Sequence, residues 1–181
     1  MTSVTQTSLP GVLIIDPDLH PDDRGFFLET YQADRYRELI GIDVDYVQDN
    51  HSRSHRGVLR GIHAQTAHPQ GKLVRVARGE VYDLVVDINP ASETFGNWMG
   101  ITLSDQSGRQ LWIPPGYGHG FLVTSDVADF EYKCTDYYTP GDEIGVIWND
   151  AEVAIDWPIR EPIVSPKDRA LPPLSELKEP R

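Results

Sequence analysis

Short apolar runs alternate with polar residues along most of this chain, and glycine or proline separates one run from the next. The runs are rich in Val, Ile, Tyr, Phe and Trp, which favour β-strands. Strands are predicted at 12–15, 25–31, 44–48, 57–64, 72–77, 80–88, 98–103, 110–113, 120–123, 130–135 and 145–148. Many short strands at this spacing indicate an all-β sandwich, jelly roll or barrel.

Two features interrupt the strand pattern, a helical segment and a tight turn. Tyr36, Leu39 and Ile40 recur at helical spacing, which predicts a short helix over residues 34–40. The dipeptide Arg78-Gly79 lies between two strand-like runs and predicts a tight hairpin turn.

The C-terminal stretch from residue 151 contains prolines at 158, 162, 166, 172, 173 and 180, which exclude long regular elements. Apolar residues within it can anchor the chain on a core, so we expect an irregular but ordered wrap as far as Leu171. The tail from about residue 174 is expected to fray. The expected anchors are Ile155, Trp157, Ile159, Ile163 and Val164.

The composition indicates a soluble globular protein with one domain over residues 1–181. Of the 181 residues, 39% are hydrophobic and 24% are charged, which is enough to bury a core. The formal net charge of −12 argues against binding to nucleic acids or membrane surfaces. No apolar run spans a bilayer and no secretion signal is visible, so the cytoplasm is the default location. The single cysteine, Cys134, excludes an internal disulfide framework and is expected to be a small buried residue.

Residues 51–79 form a basic segment inside this acidic chain. They contain no Asp or Glu, but they hold six of the sixteen Lys and Arg residues and four of the six histidines. Fixed positive charge in a concave surface attracts phosphate or carboxylate, so an anion site is one interpretation. A solvated basic face on a pair of strands is the other.

His63, in the sequence RGIHAQ at 60–65, is the first candidate for chemistry. A histidine on a strand can be a base, a metal ligand or a plain core residue. Strict alternation puts His63 and Arg60 on opposite faces of the strand. If the two share a site, a bulge near Gly61 is required, and glycine within a strand is typical of one.

The sequence WIPPGYGHGF at 112–121 carries the pattern P-x-G-x-x-H, ending in His119, which is the second motif of the cupins. A metal-binding cupin also needs H-x-H and a glutamate in its first motif. Here the first motif reads HAQ at 63–65, and no carboxylate follows before Glu80. Two imidazoles make a poor transition-metal site, so we predict a cupin-like jelly roll without a metal.

Three further parts of the sequence carry side chains that can move protons or bind charge. Lys72 opens a strand; if it faces inward it can stabilise an oxyanion, and otherwise it is a strand-end lysine in water. Tyr132 can be a general acid and Tyr137 or Tyr138 can stack on a base or sugar, although tyrosines in β proteins mostly pack. Asp168 lies in a proline-bounded turn and can cap that turn or orient a histidine.

Taken together, these stretches resemble one family, the dTDP-4-dehydrorhamnose 3,5-epimerases, over residues 11–174. The matching motifs are DDRGFFLET (22–30), QDNHSRS (48–54), GVLRGIH (57–63), PQGKLVRVARGEVYD (69–83), RQLWIPPGYGHGF (109–121), YKCTDYY (132–138) and SPKDRALP (165–172). The resemblance implies a cupin-like jelly roll (a double-stranded β-helix) with one or two short helices, working without metal or organic cofactor. It also implies a homodimer whose N-terminal segment, with Arg24 and Glu29, reaches the site of the neighbouring subunit.

The resemblance also implies roles for individual residues. His63 is the base, with Asp168 as its partner. Lys72 steadies the enolate oxygen, and Tyr132 is the acid on the opposite face of the sugar. Tyr138 stacks near the thymine. The residues implied to contact the nucleotide sugar are Arg24, Glu29, Gln48, Asp49, Asn50, Arg60, Lys72, His119, Tyr138, Glu143 and Lys167.

The implied substrate, dTDP-4-keto-6-deoxyglucose, agrees with the charges and residue types of these motifs. Its diphosphate suits the basic segment. Its 4-keto group acidifies the hydrogens at C3 and C5, so a neutral histidine can remove either one and leave an enolate. A lysine ammonium stabilises that enolate, and a tyrosine returns a proton to the other face. The implied product is dTDP-4-dehydro-L-rhamnose, in dTDP-L-rhamnose biosynthesis.

Three alternatives stay open at the level of the sequence. Ala64 replaces the aromatic residue that many family members carry after the histidine, and Ile62 and Gly118 are milder departures. Epimerisation at C3 only or at C5 only is therefore the first alternative. His63 and His119 suggest the second, a metal-dependent cupin isomerase or oxygenase. A nucleotide-sugar binder without activity is the third, and the motifs do not by themselves prove thymidine over uridine.

Overall fold

The structure is a computed structural model, and it describes residues 2–41 and 43–177. The first strands are β1 (Ser3–Gln6), β2 (Leu13–Asp16), β3 (Leu19–Asp22), β4 (Gly25–Leu28), β5 (Gln48–His55), β6 (Val58–Gln65), β7 (Lys72–Arg78) and β8 (Glu80–Asp87). They continue with β9 (Trp98–Ser104), β10 (Gln110–Ile113), β11 (Tyr117–Val123), β12 (Val127–Cys134), β13 (Glu143–Gly145) and β14 (Ile163–Val164). The helices are α1 (Ala33–Ile40), α2 (Pro166–Arg169) and a 3-10 helix at Leu174–Leu177. The predicted all-β class with short helices is confirmed.

Two sheets form the body of the fold. The first has the strand order β1-β2-β10-β7-β12-β5, and the second has the order β13-β6-β11-β8-β9, with β14 beside β6. From β5 to β8, successive strands alternate between the two sheets, as in a jelly roll. β3 and β4 form a separate two-stranded hairpin.

The central core lies between the two sheets. Val74 and Phe130 of the first sheet and Val85 and Val123 of the second belong to one buried cluster. Burial of each such side chain contributes about 1.5–3 kcal/mol to stability. In another part of the space between the sheets the inward side chains are polar, as at Lys72, and there the sheets enclose a cavity and not a packed core.

Apolar residues also cover the outer face of each sheet. Tyr36 and Ile40 of α1 pack in one cluster with Trp112 of the first sheet. Trp157 and Val164 of the C-terminal stretch pack in another cluster with the second sheet. The predicted helix and the predicted wrap are thus confirmed, and the helix begins one residue earlier than predicted.

The hairpin predicted at Arg78-Gly79 is wrong. β7 belongs to the first sheet and β8 to the second, so this dipeptide is a corner between sheets. Gly79 has a φ of 79°, and a Cβ there would lie 2.1 Å from the carbonyl oxygen of Val127. The glycine does mark a tight turn, but long-range pairing decides which strands that turn joins.

The strand predicted at 44–48 is also wrong. This segment is irregular until β5 begins at Gln48. Tyr46 packs against the apolar cluster under α1. This contact explains why the segment is apolar although it does not form a strand. β5 was not predicted because its inward positions are polar, and one of them, Ser52, lines the cavity. An alternation of apolar residues is therefore missing from this strand.

Other predicted strands are confirmed with different ends. The strand predicted at 110–113 matches β10 over its full length, whereas 25–31 shortens to β4 and 145–148 shifts to β13. The elements β1, β3, β14 and α2 were not predicted, because two to four residues carry too little periodicity to be recognised.

The predicted fraying from about residue 174 is wrong for Leu174–Leu177, whose two leucines are buried in the 3-10 helix. The rest of the predicted tail, 178–181 with Pro180, lies outside the described residues. Ile163 is exposed and does not anchor the wrap as predicted. Within the described ranges, no helix combines the length and the apolar character needed to cross a membrane.

Candidate active site

A cavity of about 540 Å³ opens between the two sheets. Both sheets contribute to its wall, together with β14 and α2. The predicted site residues that line it are Arg60, His63, Lys72, His119, Tyr132, Lys167 and Asp168. The fold therefore brings the predicted catalytic set into one place from distant parts of the sequence.

A bulge in β6 places Arg60 and His63 in the same cavity. The pairing of β6 with β11 shifts register between these two residues. From Arg60 to His63 the chain advances three residues on β6, whereas their partners on β11, Phe121 and His119, are two residues apart. The predicted bulge is present, and Gly61 accommodates it with a φ of 120°. A Cβ at Gly61 would lie 2.5 Å from a backbone atom of β11, so a larger residue does not fit.

His63 and Asp168 form a hydrogen-bonded pair in the cavity wall. His63 Nε2 lies 2.7 Å from Asp168 Oδ1. The helix α2 positions Asp168, and Ser165 caps this helix by accepting a hydrogen bond from the Asp168 N–H. Burial raises the pKa of Asp168, but the hydrogen bond with His63 and the charge of that ring outweigh burial, so the pKa lies below its usual value. The ionised carboxylate orients the ring with Nε2 as donor and leaves Nδ1 to accept a proton.

Lys72 and Tyr132 face the cavity from the first sheet, opposite the strand that carries His63. Burial lowers the pKa of the Lys72 amine, while nearby acidic groups oppose that shift. Burial raises the pKa of the Tyr132 phenol, so this hydroxyl keeps its proton at neutral pH. The candidate base and the candidate acid therefore stand on facing sheets, and a sugar ring between them would present one face to each.

A second imidazole–carboxylate pair lies beside the first. His119 is the direct cross-strand neighbour of His63, and its Nε2 lies 2.9 and 3.1 Å from the carboxylate oxygens of Asp83 on β8. Asp83 is fully buried and was not predicted as a site residue. The sequence contains a pattern from which Asp83 could have been recognised. It lies between Val81 and Val85 on one face of a strand, and a carboxylate on an apolar, inward face requires a buried partner.

A polar cluster of Glu143, Lys167 and Tyr138 lies next to His63. The Glu143 carboxylate accepts hydrogen bonds from Lys167 Nζ and from the Tyr138 hydroxyl, the latter at 3.2 Å. Its Oε1 is 3.8 Å from His63 Nδ1. Burial raises the pKa of Glu143, but Lys167 and His63 lower it overall, so the group is a carboxylate at neutral pH.

Gln48 and Asn50 lie on the inward face of β5, and Asp49 does not. Gln48 accepts a hydrogen bond from the Tyr138 N–H at 2.9 Å and donates one to Asn50 at 3.1 Å. The exposed ring of Tyr138 is accessible for stacking. Asp49 points to the opposite face of β5, where it pairs with Lys133 at 2.9 Å. The structure therefore does not bring the Asp49 side chain into this cavity.

Arg24 and Glu29 also lie away from the cavity of their own chain. Arg24 is in the turn between β3 and β4, and its guanidinium, which is 89% exposed, pairs with Asp22. Glu29 pairs with Arg35 of α1. Neither side chain lines the cavity that holds His63.

The basic segment 51–79 divides between the cavity and the outer surface. The basic and imidazole side chains of this segment that line the cavity are those of Arg60, His63 and Lys72. Arg53 instead pairs with Asp129, and Arg75 pairs with Glu131, on the outer face of the first sheet. The structure therefore divides the segment between a cavity wall, where an anion site stays a prediction, and an outer face on which these two arginines are paired with acidic residues.

Metal ligation was the alternative role for the two cavity histidines. Within residues 2–41 and 43–177, no group of three or more His, Cys, Asp or Glu side chains is arranged to hold a metal ion. His63 and His119 are each hydrogen-bonded to an aspartate. Cys134 is buried, as predicted.

Comparison with known proteins decides the family. The model of the family described as dTDP-4-dehydrorhamnose 3,5-epimerase matches residues 6–176. The chain belongs to this family. The dTDP-4-dehydrorhamnose 3,5-epimerase of Salmonella typhimurium is 49% identical over 178 residues, which is 97% of each chain. The crystal structure of the dTDP-6-deoxy-D-glucose-3,5-epimerase from Legionella pneumophila, in complex with dTDP-4-keto-L-rhamnose, matches with a TM-score of 0.94 at 49% identity, over 98% of this chain and 97% of that one.

Membership confirms the cupin-like fold, the isomerase class and the epimerase activity in dTDP-L-rhamnose biosynthesis that the sequence predicted. A relative named for a reaction at one carbon is also similar. The dTDP-4-dehydrorhamnose 3-epimerase of Streptomyces niveus is 42% identical, over 94% of this chain and 83% of its own length.

Proposed function

We propose that this protein inverts C3 and C5 of dTDP-4-keto-6-deoxyglucose through an enolate, with His63 and Tyr132 acting on opposite faces of the sugar. The observation that carries the proposal is the position of these two side chains on facing sheets of one cavity, together with Lys72. Family membership supports the substrate class and the reaction. The cytoplasm stays the predicted location.

Proton removal is the first half of each inversion. His63 Nδ1 takes the hydrogen from C3 or C5, the C–H electron pair forms a carbon–carbon double bond to C4, and the C4 oxygen takes up the negative charge. Asp168 stabilises the imidazolium through Nε2. The Lys72 ammonium interacts more strongly with the developing oxyanion than with the ketone, which lowers the barrier.

Proton return is the second half. Tyr132 donates its hydroxyl proton to the same carbon from the opposite face, and the enolate reverts to the ketone. The tyrosinate and the imidazolium then exchange protons with solvent before the next inversion. Because burial raises the pKa of Tyr132, the tyrosinate recovers a proton readily. The carbon skeleton undergoes no net oxidation or reduction, and each proton in the scheme is removed or returned by a side chain of this protein.

Positive charge at the cavity edge suits the rest of the substrate. Arg60 and Lys167 supply cations for the diphosphate, and a guanidinium can bind phosphate oxygens with two parallel hydrogen bonds. Tyr138, held by Gln48, offers a ring for the thymine to stack on. We assign the nucleotide to this side of the cavity and the sugar to the space between the sheets.

Incubation with dTDP-4-keto-6-deoxyglucose in D₂O tests the proposed reaction. We expect deuterium at both C3 and C5, because the enolate forms on either side of C4 and the returning proton comes from solvent. Product analysis by NMR and mass spectrometry locates the label, and an incubation without protein gives the uncatalysed exchange.

Each other outcome of the labelling has a clear meaning. Label at one carbon only would establish a single-site epimerase, as in the named Streptomyces relative. Absence of label at both carbons would contradict the proposed chemistry. The same incubation with the uridine diphosphate counterpart shows whether the thymine base is required.

The proposed assembly is a homodimer that exchanges its N-terminal hairpin. The β3–β4 hairpin pairs with neither main sheet, and its Phe26 and Phe27 are 55% and 69% exposed. Two adjacent exposed aromatic residues favour burial against a partner. Arg24, at the tip of this hairpin, then reaches the cavity of the second subunit, where its charge can bind the diphosphate.

Mixing two weak variants tests this exchange. His63→Asn and Arg24→Ala are each expected to be poorly active alone. After subunit exchange, an equal mixture should recover about a quarter of wild-type activity, because half of the dimers contain one cavity with His63 and the partner's Arg24 both intact. Activity is measured before and after exchange of the subunits.

A mixture of His63→Asn with Tyr132→Phe is the matched control. These two residues line the same cavity of one chain, so no mixed dimer contains an intact site. Equal recovery in both mixtures, or no recovery in either, would contradict the proposed exchange.

A further inference from the structure

We propose that Asp83 is a positioning residue for this reaction: it fixes the orientation and the tautomer of the His119 ring from behind the cavity. The inference rests on the proposed function, because His119 lines the cavity in which the proposed reaction takes place. Asp83 lies on β8, which is the neighbour of β11, the strand that carries His119, and is separated by β11 from β6, the strand that carries His63.

The contact with His119 restrains that ring. Both carboxylate oxygens of Asp83 lie within hydrogen-bonding distance of Nε2, at 2.9 and 3.1 Å. A carboxylate accepts hydrogen bonds, so this contact favours the tautomer in which Nε2 carries the proton and Nδ1 does not. The ring also stacks on Phe130, with centroids 5.9 Å apart and planes 24° apart. An imidazole held at one edge and along one face keeps a single orientation and tautomer.

Asp83 does not contact the substrate directly. Its side chain is fully buried and is not part of the cavity wall. Its neighbours on the same face of β8, Val81 and Val85, belong to the apolar core. A carboxylate in such surroundings is costly unless charge and hydrogen bonds compensate it. Its charge therefore acts through the groups that face it.

Lys72 is a second charged group whose pKa depends on Asp83. Burial lowers the pKa of the Lys72 amine, and Asp83 is one of the acidic groups that oppose this shift. Burial raises the pKa of Asp83, and His119 and Lys72 oppose that rise. Each of the two groups therefore favours the charged form of the other against the effect of burial. The other titratable groups around the same cavity are Arg60, His63, Tyr132, Lys167 and Asp168.

Asp83→Asn tests the proposal, because the amide keeps the shape of the side chain and removes its charge. We expect kcat to fall about tenfold to a hundredfold, while KM changes by less than about threefold. We also expect the alkaline limb of the kcat profile to move to lower pH. The sign follows because a lost negative charge lowers the pKa of Lys72, so the ammonium disappears at a lower pH.

Asp87→Asn is the matched control on the same strand. Asp87 is also buried, but it accepts hydrogen bonds from the hydroxyls of Ser92 and Thr94 and does not line the cavity. This variant is expected to lower thermal stability and to leave both limbs of the pH profile unchanged. If Asp83→Asn behaves in the same way, Asp83 is only structural and the inference is overturned. A wild-type protein that exchanges no label in D₂O would instead overturn the proposed function.

A measurement on the wild-type protein covers the case in which Asp83→Asn does not fold. Nitrogen-15 NMR of histidine-labelled protein reports which ring nitrogen carries the proton, and His119→Gln assigns the signal. We expect a protonated Nε2 on His119 at neutral pH. A ring protonated on Nδ1 alone would overturn the inference without reference to activity.

Discussion

His63→Asn is expected to lower kcat by about a thousandfold to ten-thousandfold. The asparagine amide can still donate a hydrogen bond to Asp168, but it cannot take a proton from carbon at neutral pH. Because the enolate no longer forms, deuterium incorporation at C3 and C5 should fall by the same factor as product formation. NMR of samples taken over time measures both rates in one experiment.

The control for this variant is His55→Asn. His55 is exposed at the end of β5 and does not line the cavity, so wild-type rates are expected. Calorimetry with dTDP separates catalysis from binding, and His63→Asn should bind with an affinity close to that of the wild type. A variant that keeps more than about a tenth of the wild-type rate would contradict the role of His63 as the base.

Tyr132→Phe is expected to separate proton removal from inversion. Formation of the inverted sugar should fall about a hundredfold to a thousandfold, because no hydroxyl remains to protonate the opposite face. Exchange should persist, since His63 can still remove a proton, exchange it with solvent and return it to the face from which it came. Recovered sugar that carries deuterium in the starting configuration is the expected signature.

Tyr137→Phe is the matched control for the loss of a hydroxyl. Tyr137 is exposed and does not line the cavity, so both rates should equal those of the wild type. Phenylalanine at position 132 keeps the ring beside Phe130, where the two centroids are 6.1 Å apart. If Tyr132→Phe loses exchange and inversion to the same extent, Tyr132 is not a donor that acts on one face alone.

Strand prediction succeeded where the apolar side chains of a strand pack in the core. β10 was predicted over its full length, because all of its residues are buried. β5 was not, because its inward residues are polar. Polar residues that line a site thus interrupt the alternation of apolar residues from which strands are recognised. A strand whose inward residues are polar is therefore itself an indication of a site.

Long-range pairing accounts for the other errors. Arg78-Gly79 carries a valid turn signal, yet the strands on its two sides enter different sheets. Leu174 and Leu177 were assigned to a frayed tail, although both are buried. A local pattern does not reveal what a distant segment covers, and for that reason these contacts were not predicted.

The sequence by itself determined the all-β class, the family and the residue types that can move a proton. Only the tertiary structure decided that His63 and Tyr132 face each other from two sheets, that Asp83 lies behind His119, and that the Asp49 side chain turns away. Alternation along a strand is set by local backbone geometry, so sequence reveals it. Membership of a sheet, and a bulge such as the one at Gly61, depend on hydrogen bonds between strands far apart in the chain.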